Sequence, residues 1–383
     1  MINRDRSAGI YIHVPFCVQK CSYCDFYSLP LRDKTYIERY TMSLIREIEA
    51  QAAGWSSREF SSIYIGGGTP SLLLPEQIDR ILRSLYAHLK ILPQPEISME
   101  ANPATLSLSN LQELRSAGIN RLSLGVQSFI DEELKIMGRV HGATEVMEAV
   151  ADLVKAGISN YNLDLIYGIP GQSEENWKYN LQMAVSCQPQ HISAYLLQLD
   201  PSTPMAKQIK QGRLKALEED LESDMYYTGV DYLRSQGYQH YEISNFSRPG
   251  YACHHNLIYW QACEYLGLGP GAVSYRDGQR WLNIAQLEDY LNDDHQGRAN
   301  NIEVLETMTH HDQFVDAVIL GLRMTAGISR GEFRQRFGID FHQEYHAIIE
   351  KFSRDGILIV DQDRIYLSRR GYFLSNQLMA QLL

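Results

Sequence analysis

Long apolar runs and an excess of basic charge are both missing from this 383-residue sequence. No stretch approaches the ~18 apolar residues that a membrane-spanning helix needs, and residues 1–7 lack the apolar segment of a secretory signal. The 46 acidic residues outnumber the 35 basic ones, and the formal net charge of −11 disfavours a general nucleic-acid binder. We expect a cytoplasmic protein, with a peripheral membrane contact left open.

Cysteine is also scarce, and its distribution is uneven. There are six cysteines, and three of them, Cys17, Cys21 and Cys24, fall within eight residues. In a reducing compartment, cysteines serve as metal ligands, catalytic groups or small buried side chains rather than as disulfide partners. The cluster therefore indicates chemistry, whereas Cys187, Cys253 and Cys263 are scattered.

Short β-rich segments alternate with amphipathic helical segments over the first 200 residues. The predicted strands cover residues 9–15, 62–65, 96–100, 121–126, 161–166 and 191–196. Helices between successive strands indicate right-handed crossovers and a parallel sheet. Six such units fit an open doubly wound sheet or a partial barrel, and the predicted fold class is α/β, a partial (β/α)6 TIM-like barrel. In either fold the chemistry belongs at the C-terminal ends of the strands.

The pattern changes after residue 205, which predicts three regions. Residues 1–205 form the partial barrel, residues 206–300 extend it, and residues 301–383 form a smaller, mainly helical, winged-helix-like domain. The polar run at 293–301 has the composition of a linker. Acidic residues outnumber basic ones from residue 303 onward, so we expect a packing or substrate-covering role rather than nucleic-acid binding.

The clustered cysteines have the spacing C-x3-C-x2-C, directly after the first predicted strand. Thiolates are the usual protein ligands of iron–sulfur clusters, and three of them around a four-iron cube leave one iron open. Zinc is the alternative metal, since His13 or a distant cysteine could complete a four-ligand site. No second cysteine pair follows the first, which favours the cluster.

This motif resembles the signature of the radical S-adenosylmethionine superfamily. The resemblance implies a [4Fe–4S] cluster held by the three cysteines, with S-adenosylmethionine bound at the open iron through its amino and carboxylate groups. It also implies that Tyr23 contacts the adenine. The sequence Tyr64-Ile-Gly-Gly-Gly-Thr-Pro70 at the end of the second predicted strand matches a further superfamily motif.

Within that superfamily, four segments resemble the oxygen-independent coproporphyrinogen III oxidase family. They are residues 11–17, the Gly-Gly-Gly-Thr-Pro stretch, Gly125-Val-Gln-Ser128 and residues 164–170. The similarity extends over most of the chain and includes its C-terminal module. The resemblance implies a set of S-adenosylmethionine contacts, namely Tyr11, Gly67, Gly68, Thr69, Glu100, Gln127, Arg139 and Asp164.

Two features depart from the oxidases. The oxidases have a Gly and then a fourth cysteine after the third one, whereas here Cys24 is followed by Asp25 and Phe26. The segment His255-Asn-Leu-Ile-Tyr-Trp260 resembles the H-N-x-x-Y-W motif of a heme-chaperone branch of the family. That resemblance implies that His255, Asn256, Tyr259 and Trp260 bind heme.

The heme assignment has alternatives among the neighbouring residues. Imidazole is a good axial ligand of heme iron, and aromatic rings can stack on a porphyrin face. His254 adjoins His255 and is a second candidate ligand, and Cys253 is a third. The remaining interpretation is that His255 binds no heme and is a structural histidine inside an aromatic core beside a turn.

The resemblance implies a heme chaperone that holds a [4Fe–4S] cluster, S-adenosylmethionine and heme, and passes heme to an acceptor apoprotein. The alternative is an oxygen-independent coproporphyrinogen III oxidase, which decarboxylates propionate side chains by radical chemistry. The two hypotheses differ in whether the chain is an enzyme. A winged-helix nucleic-acid regulator is disfavoured by charge.

Overall fold

The computed structural model describes residues 7–293, 295 and 302–382. Its strands are β1 Ala8–Val14, β2 Phe16–Cys17, β3 Leu29–Pro30, β4 Glu59–Gly67, β5 Lys90–Ala101, β6 Arg121–Gln127, β7 Tyr161–Tyr167, β8 His191–Leu196, β9 Gln239–Glu242, β10 Asn245–Ser247, β11 Tyr265–Leu268, β12 Val273–Arg276, β13 Gln279–Asn283, β14 Ile302–Thr307, β15 Ile328–Ser329, β16 Leu358–Val360 and β17 Arg364–Leu367.

Its α-helices are α1 Thr35–Gln51, α2 Pro75–His88, α3 Leu108–Ala117, α4 Asp131–Met137, α5 Ala143–Lys155, α6 Glu174–Ser186, α7 Pro204–Lys210, α8 Glu219–Ser235, α9 His254–Trp260, α10 Leu287–Asn292, α11 His310–Gly321, α12 Arg330–Phe337, α13 Phe341–Glu344, α14 His346–Arg354 and α15 Arg369–Met379. Within the described ranges no helix is both long and apolar enough to cross a membrane.

A twelve-stranded sheet in the order β14-β13-β12-β11-β1-β4-β5-β6-β7-β8-β10-β9 organises most of the chain. Strands β1 and β4 to β8 are parallel neighbours, which confirms the predicted partial (β/α)6 barrel. Strand β11 pairs in parallel with the free side of β1, and the strands beyond it run antiparallel. The sheet is therefore wider than the six predicted strands.

Strand β1 shows how the sheet separates its two faces. Ile10, Ile12 and Val14 are fully buried in the main apolar core, which the helices cover. Because side chains alternate along a strand, Tyr11 and His13 lie on the opposite face, inside the barrel. There Tyr11 stacks on Tyr64 of β4, with ring centroids 6.3 Å apart. The barrel interior is thus polar and aromatic rather than aliphatic.

A second apolar core lies in the C-terminal region. It includes Phe314, Ile349 and Leu378 from three helices and Ile365 from a small sheet in the order β15-β17-β16. Strands β16 and β17 form the hairpin that the sequence predicts between residues 355 and 368. The domain limits stay predictions, and the proposed linker at 293–301 lies, apart from residues 293 and 295, outside the described residues.

Candidate functional site

A cavity of about 470 Å³ opens at the C-terminal ends of the parallel strands. Eleven of the residues predicted from the sequence line it, drawn from six separate parts of the chain. They are Cys17, Cys21, Tyr23, Cys24, Gly67, Gly68, Thr69, Glu100, Gln127, Arg139 and Asp164. The structure therefore brings the predicted cluster loop and most of the predicted cofactor contacts to one site.

The cysteine loop is fixed at its base and at its middle. At the base, the N–H groups of Leu29 and Leu31 donate to the carbonyls of Pro15 and Cys17 at 2.7 and 2.8 Å. In the middle, the Ser22 N–H donates to the Met137 carbonyl of α4 at 3.1 Å. The thiols are consequently presented by a short loop tied to two neighbouring segments rather than by a free one.

The Gly-Gly-Gly turn packs directly on that loop. The Gly68 N–H donates to the Val14 carbonyl at 2.8 Å, and the Thr69 N–H donates to the Phe16 carbonyl at 2.7 Å. A Cβ at Gly68 would lie 2.5 Å from the Phe16 carbonyl oxygen and 2.9 Å from Cys17 Sγ. Gly67 has φ +116°, a conformation that L side chains rarely adopt. The glycines therefore permit the close approach between turn and loop.

Two carboxylates form an acidic wall of the cavity. Glu100 Oε1 accepts from the Tyr64 hydroxyl at 2.9 Å, and its Oε2 accepts from the Gly67 N–H at 3.1 Å. Burial, reinforced by the nearby charge of Asp164, raises the pKa of Glu100 to about 7. Burial also raises the pKa of Asp164, whose oxygens accept from Ser123 and Asn162. Carboxylates in this position suit ribose hydroxyls or a sulfonium cation.

Arg139 lies between the cysteine loop and β6. Its Nη2 donates to the Gly125 carbonyl at 2.8 Å, and its Nη1 lies 3.4 Å from Cys21 Sγ. The buried Nε has no hydrogen-bond partner among the described residues, which leaves a donor for a bound carboxylate. Gln127 at the end of β6 has φ +67°, and backbone outliers of this kind cluster at functional sites.

The thiols suit a cluster better than a single ion. No three His, Cys, Asp or Glu side chains among the described residues converge closely enough to hold one metal ion. A cluster instead takes each thiolate on a different iron, so its ligands need not converge on one point, and the three cysteines line one cavity here. Burial raises the pKa of Cys24, so its thiolate needs a cationic partner such as iron.

His255 lies deep inside the barrel and does not itself line the cavity. Only 1% of its surface is exposed. Its Nδ1 is 2.8 Å from Ser62 Oγ, and its Nε2 is 3.1 Å from the Tyr259 hydroxyl. Both ring nitrogens therefore have partners, and burial lowers the pKa of the imidazole to about 3. In this arrangement neither nitrogen is open to an external metal.

The other predicted heme residues surround His255 on helix α9. Asn256, Tyr259 and Trp260 are half-buried, and the Arg323 guanidinium lies 4.8 Å from the centre of the Trp260 ring. The helix begins where the N–H groups of His254 and His255 donate to the carboxylate of Glu96. None of the four predicted heme residues lines the cavity, and their heme contacts stay predictions.

Sequence reasoning and structure differ at several positions around the cavity. Tyr11 lies beneath the wall, with its hydroxyl 3.1 Å from His13 Nδ1, and does not line the cavity. Residues that the sequence analysis missed do line it, namely Tyr64, Asn102, Ser123, Tyr195 and the exposed apolar residues Val18, Phe26 and Val140. Tyr64 and Ser123 could have been found from inward alternation along their strands.

Comparison with known proteins identifies two domain families along the chain. The Radical SAM superfamily model matches residues 11–184, and the HemN C-terminal domain model matches residues 308–374. In fold, the chain is similar to the coproporphyrinogen III oxidase HemN of Escherichia coli, with a TM-score of 0.84 at 24% identity over 99% of this chain and 90% of that one.

Curated relatives named "Heme chaperone HemW" match along nearly the whole chain. The protein of Lactococcus lactis is 35% identical over 383 residues, which cover 100% of this chain and 98% of the relative. The protein of Bacillus subtilis is 32% identical over 376 residues, which cover 97% of this chain and 98% of the relative. The chain therefore belongs to the HemW family, with a radical SAM domain followed by a HemN C-terminal domain.

Proposed function

We propose that this protein is a heme chaperone, which binds heme and passes it to an acceptor apoprotein. The observation that carries the proposal is the similarity to the Lactococcus lactis protein named "Heme chaperone HemW", which extends over the whole chain. The partners that follow are heme and a heme-accepting protein. Cytoplasmic placement belongs to the same proposal.

The cavity is the proposed site for a [4Fe–4S] cluster and S-adenosylmethionine. Cys17, Cys21 and Cys24 would hold the cluster, and the unpaired donor of Arg139 would bind the methionine carboxylate. The Gly67–Thr69 backbone would face the amino group, and Glu100 and Asp164 the ribose and sulfonium. When bound, this pair of groups supplies one-electron radical chemistry, and the chain's own residues orient it and shield it from solvent.

His255 remains the proposed axial heme ligand, with Asn256, Tyr259 and Trp260 around the macrocycle. In the described arrangement its ring is held by Ser62 and Tyr259, so heme coordination at His255 requires at least one of these contacts to open. His254 is more accessible, and its Nε2 is 2.8 Å from Ser61 Oγ at the edge of a shallow pocket. The two histidines can be separated by experiment.

A hemin titration followed by Soret absorbance tests the proposed ligand. We expect saturable binding to the wild-type chain and at least about tenfold weaker binding to His255→Ala, since loss of even a residue that only hydrogen-bonds to a metal ligand costs about 10–100-fold in affinity. Ser62→Ala should bind hemin more tightly than wild type, because it frees one ring nitrogen while leaving the imidazole in place.

His254→Ala is the matched control, and it should bind hemin with wild-type affinity. Thermal unfolding of each variant shows whether the chain is still folded. Unchanged hemin affinity in a folded His255→Ala variant would remove His255 as the ligand. A loss confined to His254→Ala would reassign the ligand to its neighbour, and no saturable binding to wild type would reject the chaperone proposal.

The alternative activity is oxidative decarboxylation of coproporphyrinogen III. It is favoured by the similarity in fold to HemN and by the cavity in which the predicted cofactor residues meet. After anaerobic reconstitution of the cluster, the chain is incubated with reductant, S-adenosylmethionine and coproporphyrinogen III, and tetrapyrroles are separated by chromatography. We expect the substrate to be recovered unchanged, and accumulation of protoporphyrinogen IX would establish the oxidase activity instead.

A further inference from the structure

A column of aromatic side chains connects helix α9 with the floor of the cavity. The His255 imidazole stacks on the Tyr64 ring, with centroids 5.1 Å apart and planes inclined by 24°. Tyr64 lies on β4 and reaches the cavity, whereas His255 is fully enclosed below it. Tyr11 flanks the same Tyr64 ring from β1. Tyr64 is therefore held on two sides by rings from other elements.

The neighbouring strand is shaped to admit the imidazole. A Cβ at Gly9 would lie 3.1 Å from both His255 Nδ1 and Cε1. Only glycine leaves that space without pushing against the ring, and the ring is also fixed by Ser62 and Tyr259. The imidazole is thus packed from three elements, β1, β4 and α9, and it forms a rigid support for what lies above it.

The top of the column is the Tyr64 hydroxyl, which donates to Glu100 Oε1 at 2.9 Å. The other carboxylate oxygen of Glu100 accepts from the Gly67 N–H. These two donors come from one strand and its turn, and they fix both oxygens of the carboxylate. Without the hydroxyl, Glu100 would keep a single anchor and would be free to rotate.

We propose that Tyr64 is a positioning residue for the S-adenosylmethionine site, that it acts by orienting the Glu100 carboxylate, and that His255 holds Tyr64 in place. This inference rests on the proposed cofactor site and does not require heme to bind. It also gives His255 a role in the heme-free protein. Opening His255 to coordinate heme would then loosen Tyr64 and weaken the hold on the cofactor.

The pH dependence of S-adenosylmethionine binding distinguishes a positioning role of Tyr64 from a general loss of stability, because it reports the pKa of Glu100. The titratable and charged groups that act on it are Tyr64, Asp164, Arg121 and Tyr11. A hydrogen bond donated to the carboxylate stabilises its charged form and so lowers its pKa. Binding of the S-adenosylmethionine cation should strengthen with pH as Glu100 ionises, with a midpoint near its pKa of about 7.

Tyr64→Phe tests the proposal in the reconstituted, cluster-loaded protein. It removes one hydroxyl and keeps the stacked ring. We expect the dissociation constant for S-adenosylmethionine, measured anaerobically by equilibrium dialysis at pH 7, to rise about tenfold. The pH midpoint of binding should rise by about one unit, because the carboxylate loses a stabilising donor. His255→Ala should weaken binding about fivefold by removing the stacked support.

Tyr290→Phe is a matched control. Its hydroxyl also donates to a buried carboxylate, Glu47, at 2.7 Å, but neither residue lines the cavity. It should change neither the affinity nor the midpoint. Unchanged binding in Tyr64→Phe would overturn the proposal, and so would weaker binding with an unmoved midpoint. Hemin titration of the same variants tests the chaperone proposal separately. The role of Tyr64 in orienting Glu100 does not depend on whether hemin binds, so either proposal can be rejected without the other.

Discussion

A Cys21→Ala variant is expected to lose the [4Fe–4S] cluster almost completely. Three cysteines line the cavity, and each would supply one thiolate to one iron, so the loop has no spare ligand. Among the described residues, no other His, Cys, Asp or Glu forms with them a group of three that could hold a metal ion. After anaerobic reconstitution, the iron content and the charge-transfer absorbance should both fall to near zero.

Cys187→Ala is the control for this experiment. Cys187 is also a free, half-buried cysteine, but it caps the C-terminal end of α6 and does not line the cavity. Its loss should leave the iron content unchanged. Full cluster assembly in Cys21→Ala would contradict the assignment of the loop. Stoichiometric zinc with no charge-transfer band in the wild-type chain would support the zinc alternative instead.

The parallel strands and the helices between them could be predicted from local pattern alone. Strand β8 His191–Leu196 has the predicted limits. The helix before it, α6 Glu174–Ser186, begins where the Ser173 side chain accepts from the Asn176 N–H. Short apolar segments separated by amphipathic helices also determine where strand ends meet. For that reason, residues as distant in sequence as Cys17 and Asp164 could be placed at one site.

The widening of the sheet could not be predicted in the same way. Strand β11 begins a Gly-rich stretch whose β propensity is low, and it forms because its backbone pairs with β1, more than 250 residues earlier in the chain. Long-range pairing of this kind leaves no local periodicity in the sequence. The extension brings α9 against β1 and β4, and this packing encloses His255.

The heme motif shows the limit of reasoning by residue type. A histidine beside two aromatic residues is compatible with a heme ligand and with a buried aromatic core, and the spacing of the residues alone does not distinguish the two roles. The structure shows both ring nitrogens of His255 paired and the ring stacked on Tyr64. These contacts come from β4 and from the next turn of α9, and only the folded chain reveals them. A heme-binding role for His255 therefore implies a change of conformation.

Gly68→Ala is expected to weaken S-adenosylmethionine binding strongly while keeping all three cluster cysteines in the chain. The added Cβ would lie 2.5 Å from the Phe16 carbonyl oxygen and 2.9 Å from both the Phe16 carbonyl carbon and Cys17 Sγ. Two of these three atoms belong to the backbone, which cannot move aside as a flexible side chain could. The Gly-Gly-Gly turn must therefore separate from the cysteine loop.

That separation would break the two hydrogen bonds that join the turn to the loop, from Gly68 to Val14 and from Thr69 to Phe16. Overpacking of this kind costs about 1–3 kcal/mol, which corresponds to about 5- to 150-fold in affinity if it falls on the bound state. We expect the dissociation constant for S-adenosylmethionine to rise about 100-fold, measured on cluster-loaded protein by equilibrium dialysis.

Gly331→Ala separates this local effect from a general effect of adding a methyl group. Gly331 is exposed on α12, and the nearest atom to its added Cβ is 3.4 Å away, so the methyl group makes only an ordinary van der Waals contact. Alanine in a helix is favoured over glycine by about 0.5–1 kcal/mol, so this variant should keep wild-type affinity and unfold at a slightly higher temperature. If Gly68→Ala bound S-adenosylmethionine as tightly as Gly331→Ala does, the turn would not be part of the cofactor site. A weakened affinity for S-adenosylmethionine with unchanged iron content would place the function of the Gly-Gly-Gly turn at the cofactor rather than at the cluster. In that case the cysteines still assemble the iron, but the backbone of the turn that contacts the cofactor has been displaced.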